Sequence, residues 1–445
     1  MKKLLYSLLP TTSILLVACG NGANTDDSSN ADTGSKGTTE QVTDKNETGD
    51  GQVIRVAWWG GQTRHDLTLE AIELFTEETG IKVEAEYTGW DGYWEKLSTQ
   101  AAGGNLPDVI QMDNAYLNEY DSNSLLVDLT PYTDDGTIDM TNIDDLYQEV
   151  LVSDGRVLGV SGGANALGIV YNAEYAEKYD AHLEPGYTYD DIYDLNMKLK
   201  EAVEADGGLF HGYDFSNAEY ELFVNYARQN GQTLYSEAGD SVGFDTKHLT
   251  DYFTWVQKMV EDGAAPTHDI MLSYTSGGDS MVGEGTAYMR TAASNQLLSD
   301  QSSSEFDLDV TILPSLDGTH ANYIRPSMSW SITEHAQEND AAAMFIDFMT
   351  NNLAANEILK GERGVPISSV VREHLADVVE ETTKKTFDYL DLVAEYSKPA
   401  DPLSPPGETE VRGVFLRVVE SLKYGQVTPE EAAEQFVQEA NSILN

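Results

Sequence analysis

The sequence predicts an α/β protein with parallel strands, and three observations support this. Strand-like and helical runs alternate where the folded part begins, and 445 residues suit two or three domains at about 100–200 residues each. A composition 40% hydrophobic and 9% aromatic is rich enough for packed cores. The charge narrows the function: 26 Lys+Arg against 76 Asp+Glu leave a net charge of −50. A surface of that sign repels phosphate backbones and anionic headgroups, which argues against nucleic-acid binding and against adhesion of the folded body to a membrane.

The N-terminus reads as a leader. Lys2 and Lys3 precede a mostly apolar run over 4–18, too short to span a bilayer but suited to the apolar region of a secretory signal. It ends in Leu16-Val17-Ala18-Cys19-Gly20, and Cys19 is the chain's one cysteine, so intrachain disulfides and multi-cysteine metal sites are excluded. Residues 1–18 are therefore expected to be a signal peptide. The polar, Ser/Thr/Asp/Asn-rich stretch over 19–52 is expected to be a flexible tether, because it has almost no apolar residues to offset the entropy of ordering it.

The folded body then follows element by element. Val53 to Trp58 or Trp59 is a strand, Gly60-Gly61 a turn, and Arg64 to Thr79 a helix with Leu67, Ala71, Leu74 and Phe75 on one face. Thr63 and Asp66 read as its capping box and Gly80 as its stop. Ile81–Tyr87 alternates with period two as a second strand, Trp94 to Ala102 is a helix, and Asp108 to Met112 a third strand. Strands interleaved with helices imply right-handed crossovers, with ligands outside the carboxyl ends of the strands.

Trp58, Trp59 and Arg64 follow the first strand; Trp90, Asp91 and Tyr93 the second; Asp113, Asn114 and Tyr116 the third. Aromatic faces stack on sugar rings, while carboxylates, amides and guanidinium groups hydrogen-bond hydroxyls, so this mixture fits a carbohydrate. Any one of these tryptophans read alone is equally a core residue, and Trp94, inside a helix, is assigned to the core.

Trp58-Trp59-Gly60-Gly61, Arg64-His65, Gly89-Trp90-Asp91-Gly92-Tyr93, the Gly103–Val109 run and Leu126-Val127-Asp128-Leu129-Thr130-Pro131 together resemble the extracellular solute-binding proteins of sugar ABC importers. The resemblance extends through Gly168–Asn172, Tyr187-Thr188-Tyr189-Asp190-Asp191, Gly283–Met289, Gly364-Val365-Pro366 and Glu430-Glu431-Ala432. Tyr189 stands where the family usually has tryptophan, and Ser161-Gly162 where a proline is common. Leu16–Gly20 likewise resembles a bacterial lipobox, which implies a lipid on Cys19 and attachment to the outer face of the cell membrane.

The family resemblance implies a two-lobed periplasmic-binding-protein-like fold, hinge-linked, each lobe a central sheet flanked by helices. Lobe one would be 53–163 with 329–383 and lobe two 164–328 with 384–445. Ser161-Gly162-Gly163-Ala164 and Arg325-Pro326-Ser327, rich in residues that break regular structure, are the expected crossings. The implied function is capture of an oligosaccharide for an ABC permease by a monomer, with no cofactor, no metal and no catalysis.

Enzyme and adhesion-protein readings stand beside it. Gly159-Val160-Ser161-Gly162-Gly163 matches the Gly-x-Ser-x-Gly nucleophile pattern, but a strand rather than a helix is expected after it. With 76 acids, a hydrolase carboxylate pair is not separable by sequence.

Trp59, Trp90 and Trp330 are expected to stack on the sugar, and Asp113, Asn114, Asn165 and Asn217 to bond its hydroxyls. Arg64, Arg290, Arg325 and Arg363, four of only ten arginines, would gather round a cleft and take uronate carboxylates, as in the oligogalacturonide-binding branch that Arg64-His65 resembles. Read one at a time, each arginine pairs with one of the many acids, so a neutral oligosaccharide is the leading description and a uronate the sharper one.

Overall fold

The alternation at the folded start builds strand β1 (Val53–Trp59) in a computed structural model that describes residues 51–445 other than 216–217, 278–279 and 402–403. The leader, Cys19, Asn217 and all but the last two residues of the expected tether lie outside the described residues. The remaining strands are β2 (Lys82–Thr88), β3 (Val109–Met112), β4 (Val152–Ser153), β5 (Arg156–Val157), β6 (Val160–Asn172), β7 (Gly212–Asp214), β8 (Ala287–Ala293), β9 (Leu308–Thr311) and β10 (Ile324–Ile332).

One mixed sheet runs β2-β1-β3-β10-β6-β8-β7, with β9 also on β6, while β4 and β5 pair by themselves. β2 and β3 flank β1 in parallel, as the interleaved helices require. β10 runs antiparallel to both β3 and β6. β6 is shared along its length: Val160–Ala166 bonds to β10, and Ile169–Tyr171 to both β8 and β9. β7 joins β8 in parallel at the far edge.

The helix after β1 is Gln62–Thr79, and its start departs from the expected capping box. Gly61 is the N-cap without a side-chain bond, while Gly80 closes the other end at φ 77°, its N–H donating to the Thr76 carbonyl. The next helix starts at Trp90, not Trp94, and ends at Ala102. Tyr189–Ala205 opens on a reciprocal capping box between Thr188 and Asp191.

The Gly-rich crossing is not irregular. Ser161, Gly163, Ala164 and Asn165 lie within β6, and Arg325-Pro326-Ser327 within β10, whose register shifts on either side of Met328. Glycine serves close packing here: a Cβ on Gly163 would stand 2.8 Å from the Arg363 carbonyl oxygen, and one on Gly162 would stand 3.3 Å from Trp330 Nε1.

The β1 side of the sheet is covered on both faces. Ile54, Val56 and Trp58 pack with Phe75 and Phe345 on one face, while Ala57 and Trp59 pack with Tyr93, Leu97 and Leu117 on the other. A further core gathers Tyr213 and Tyr288 with Leu199, Phe253, Phe415 and Phe436. Among the described residues no helix is long and apolar enough to cross a membrane.

Candidate functional site

The carboxyl ends of β3, β7 and β8 converge with the start of β10 on two adjoining cavities of 730 and 390 Å³. Both are walled by Asp113, Asn114, Glu221 and Arg325. β10 brings Arg325 there because it runs antiparallel to β3 with Ser329 opposite Met112, so residues before Ser329 project past the end of β3. Volumes of this size lie in the range of about 300–1,000 Å³ typical of small-molecule sites.

Asp113 ends the loop after β3 and caps the helix Asn114–Ser122, its carboxylate accepting the Ala115 N–H at 2.9 Å. Burial raises its pKa above the ordinary aspartate value, opposed by that N–H and by the nearby Arg325 charge. The Asn114 side-chain oxygen is buried without a partner. The Arg325 guanidinium faces both cavities and has no hydrogen bond or ion pair to a described residue. Asn165, next to Arg325 across the β6–β10 ladder, walls the smaller cavity and accepts the Ser294 hydroxyl at 3.4 Å.

The opposite wall of the larger cavity comes from the helices Glu219–Gln229 and Glu408–Lys423. Arg412 pairs with Glu221 at 2.5 Å and lies over the Tyr220 ring at 5.3 Å. Burial opposes the Arg412 cation, but Glu221 together with Tyr220 and Glu408 outweighs it and holds its pKa above the ordinary value. Glu408 accepts from the Tyr220 and Tyr235 hydroxyls, which are 3.0 Å apart, and burial raises its pKa. Tyr323 lies under Arg228, 4.9 Å from ring centroid to guanidinium, and Arg228 pairs with Asp401. Phenol rings, carboxylates and amides around one guanidinium without an ion-pair partner can bind a polyhydroxylated, ring-shaped solute.

The sequence profile of the bacterial extracellular solute-binding proteins matches residues 70–386. This chain belongs to that family. An extracellular solute-binding protein of family 1 from Alicyclobacillus acidocaldarius shares 27% identity at a TM-score of 0.76, with 88% of this chain and 98% of that one covered. A periplasmic oligogalacturonide-binding protein from Yersinia enterocolitica has a TM-score of 0.71 at 24% identity, again over 88% and 98%. A carbohydrate ABC transporter substrate-binding protein from Streptococcus pneumoniae is 24% identical over 161 residues, 35% of this chain. That match spans about a third of the relative's own length, 32%. The fold is the two-lobed α/β architecture of these binding proteins.

In this solute-binding protein the residues expected at the site divide sharply. Asp113, Asn114, Asn165 and Arg325 come together on the cavities. Trp59 does not: it is 8% exposed and packed edge-on against Trp90 and Tyr93 and tilted against Trp94, at centroid distances of 5.0, 5.3 and 5.6 Å. Alternation does turn Trp59 away from Trp58, but the face it meets is a second core. Trp330, 1% exposed, is buried against Phe345. Trp90 is 42% exposed and walls neither cavity.

Three of the four arginines are likewise elsewhere. Arg64 Nε bonds both Glu362 oxygens, Arg290 pairs with the buried Asp300 at 3.2 Å, and Arg363 is buried beneath Trp330. Ser161, 1% exposed near the start of β6, with the strand continuing after it, and donating to the Gly163 carbonyl at 2.8 Å, is in no nucleophile elbow.

Tyr220, Glu221, Tyr235, Tyr323, Glu408 and Arg412 were not singled out from sequence. Tyr220 and Glu221 lie six and seven residues past β7, too far for the rule that found Asp113 directly after β3 to point to them.

Proposed function

We propose that this protein captures a neutral oligosaccharide in the paired cavities and delivers it to the permease of an ABC importer. The carrying observation is the Arg325 guanidinium, with no hydrogen bond or ion pair to a described residue in a strongly acidic protein, and walling cavities of ligand size together with Asp113 and Asn114. The Streptococcus pneumoniae relative, named as a carbohydrate ABC transporter substrate-binding protein, supports the sugar and the importer. The oligogalacturonide-binding neighbour favours a uronate, but Arg64, Arg290 and Arg363 lie off the cavities, and Glu221 neutralises Arg412. One available cation among several carboxylates suits hydroxyl groups better than a row of carboxylates.

In this reading the lobes, 53–163 with 329–383 and 164–328 with 384–445, close about the β6 and β10 crossings. A lipid on Cys19 and the tether over 19–52 hold the protein at the outer membrane face. Cys19→Ser is expected to release it from cells or stall processing while leaving sugar affinity intact; unchanged membrane retention would sink the anchor.

The test of function is titration of the purified protein with pooled plant-type oligosaccharides, neutral and uronic, following binding heat and product formation together. Binding of neutral sugars without turnover is the expected result. Turnover would move the protein to the carbohydrate-active enzymes, preferential uronate binding would reinstate the anionic ligand, and neither binding nor turnover would point to a surface adhesion role.

A further inference from the structure

The two cavities differ in what they offer a ligand. The larger is walled by Tyr220, Tyr235 and Tyr323, whereas the cavity of 390 Å³ has no aromatic residue on its wall. The smaller one offers hydrogen-bond donors instead. Gln296 Oε1 accepts the Ala293 N–H at 3.1 Å, so the Gln296 Nε2 group remains for a ligand. Asn165, 6% exposed, is held in the same sense: the Ser294 hydroxyl accepts the Ala166 N–H at 3.3 Å, which turns its proton to Asn165 Oδ1. Asn165 Nδ2 is left without a hydrogen bond to a described residue. Arg325, opposite Asn165 on the β6–β10 ladder, adds a guanidinium that is equally free.

Side-chain acceptors are fewer on that wall. Asp113 spends one oxygen on the Ala115 N–H; Glu221 spends one on Arg412, and its other is sealed within the protein. What remains is the second Asp113 oxygen and the exposed Asn295 amide. The helices Glu219–Gln229 and Gln296–Ser303 also begin here, at Ala218 and Asn295, and neither N-cap makes a side-chain bond, so their first N–H groups add to the donors. A hydroxyl donates as well as accepts, and its proton would meet mostly other donors. The matching group accepts without donating. A carboxylate does so, but it would set a second negative charge beside Asp113, whose pKa burial already raises. A carbonyl accepts and carries no charge. Leu167, Ala293 and Pro326 stand on the same wall, apolar surface that a short acyl chain covers.

Resting on the reading that the paired cavities hold a neutral sugar, we propose that the smaller cavity is a subsite for an acetyl group on that sugar, borne as an amide or an ester. The carbonyl oxygen takes hydrogen bonds from Arg325, Asn165 and Gln296, and the methyl lies against Leu167, Ala293 and Pro326. The sugar ring that bears the group stays among the tyrosines of the larger cavity, where flat faces can stack on it. One unit can span both, because Asp113, Asn114, Glu221 and Arg325 wall the two cavities in common. The protein thus selects for acyl decoration as well as for the sugar chain.

The probes are matched sets that differ only in acetylation, titrated calorimetrically into the intact protein. Pooled plant-type oligosaccharides before and after mild alkali, which strips acetyl esters and leaves the chains, test the ester; N-acetylglucosamine and chito-oligosaccharides against glucose and cello-oligosaccharides test the amide. In at least one set the acetylated members are expected to bind about tenfold tighter or more, and the set that shows it identifies the linkage. Saturation-transfer NMR is then expected to put the strongest signal on the acetyl methyl. Asn165→Leu removes a donor and Ala293→Leu fills the cavity from another strand, so each is expected to shrink the ratio of affinities within that set, a readout that partial loss of folded protein does not move. Neutral sugars that bind equally with and without acetyl groups would overturn the subsite and leave the sugar reading standing. A ratio that persists in both variants would also overturn it, and binding of no neutral sugar in any set would overturn both.

Discussion

Truncating Trp59 to alanine separates the core from the binding face. The ring is 8% exposed and touches three other aromatics. A buried aromatic withdraws about 150–250 Å² from water, and at about 25 cal/mol per Å² that area is worth at most roughly 4–6 kcal/mol. The cavity left under Trp90 and Trp94 closes only in part, which places the expected loss in the range of about 3–5 kcal/mol found for large aromatic truncations. The assay is a urea unfolding curve read beside calorimetric sugar titration of the folded fraction. Stability is expected to fall by that amount, with affinity per folded molecule unchanged, since Trp59 walls neither cavity. A stable Trp59→Ala protein whose affinity drops tenfold or so, about 1.4 kcal/mol, would refute the placement and return the ligand to the tryptophan-rich strand end.

Arg325→Met is expected to weaken sugar binding by about 10- to 150-fold, the value of roughly 1.5–3 kcal/mol for a hydrogen bond to a charged group, with the unfolding midpoint little changed because the guanidinium has no partner to lose. Unchanged affinity in calorimetry would take Arg325 out of the site. Affinity is also expected to fall on acidification at a pH above the ordinary aspartate value of 3.8, because burial raises the pKa of Asp113; Asp113→Asn keeps the helix cap but should erase that acid limb, and a limb that survives would assign the titration elsewhere. His65 accepts the Trp58 indole N–H at 3.1 Å, and burial followed by the Arg64 charge holds its pKa below the ordinary 6.5. The unfolded chain then binds the proton first, so stability from this residue is full above 6.5 and is lost as pH falls from there through the lowered folded value; equal slopes of unfolding midpoint against pH in the native protein and His65→Gln would contradict it.

Individual elements were legible because they are written in local periodicity, whereas the two-lobed arrangement came from the family resemblance. Ile81–Tyr87 alternates and Gly80 stops a helix, each decided by residues a few positions apart. Asp113 and Asn114 were legible for a related reason, since the position just past a parallel strand is fixed by the strand itself. Trp59 and Trp330 were not, because whether an aromatic at a strand end meets solvent depends on what covers that face. Here Tyr93 and Leu117 cover Trp59, and Phe345 covers Trp330. Glu408 and Arg412 were beyond reach for another reason: the helix that carries them comes nearly 200 residues after Tyr220, and no short-range pattern joins the two.

Charge scarcity gives arginine its meaning in this chain. With 76 acids to 26 bases, the default fate of a guanidinium is an ion pair, and seven of the ten arginines follow it, with Glu86, Glu362, Asp121, Asp401, Asp300, Glu221 and Glu439. An eighth, Arg372, bonds the Pro366 and Ile367 carbonyls. That leaves Arg325 and Arg363 without a carboxylate partner among the described residues. Acids are abundant, so each marks a place where a carboxylate would occupy the room of something else. At Arg325 that room is a pair of cavities of ligand size, and at Arg363 it is the packed crossing of β6 and β10. The two exceptions differ in what a neutralising carboxylate would do: near Arg325 it would quench the donor that a hydroxyl needs, while near Arg363 it would crowd β6 against β10, where even a methyl on Gly163 collides with the Arg363 carbonyl.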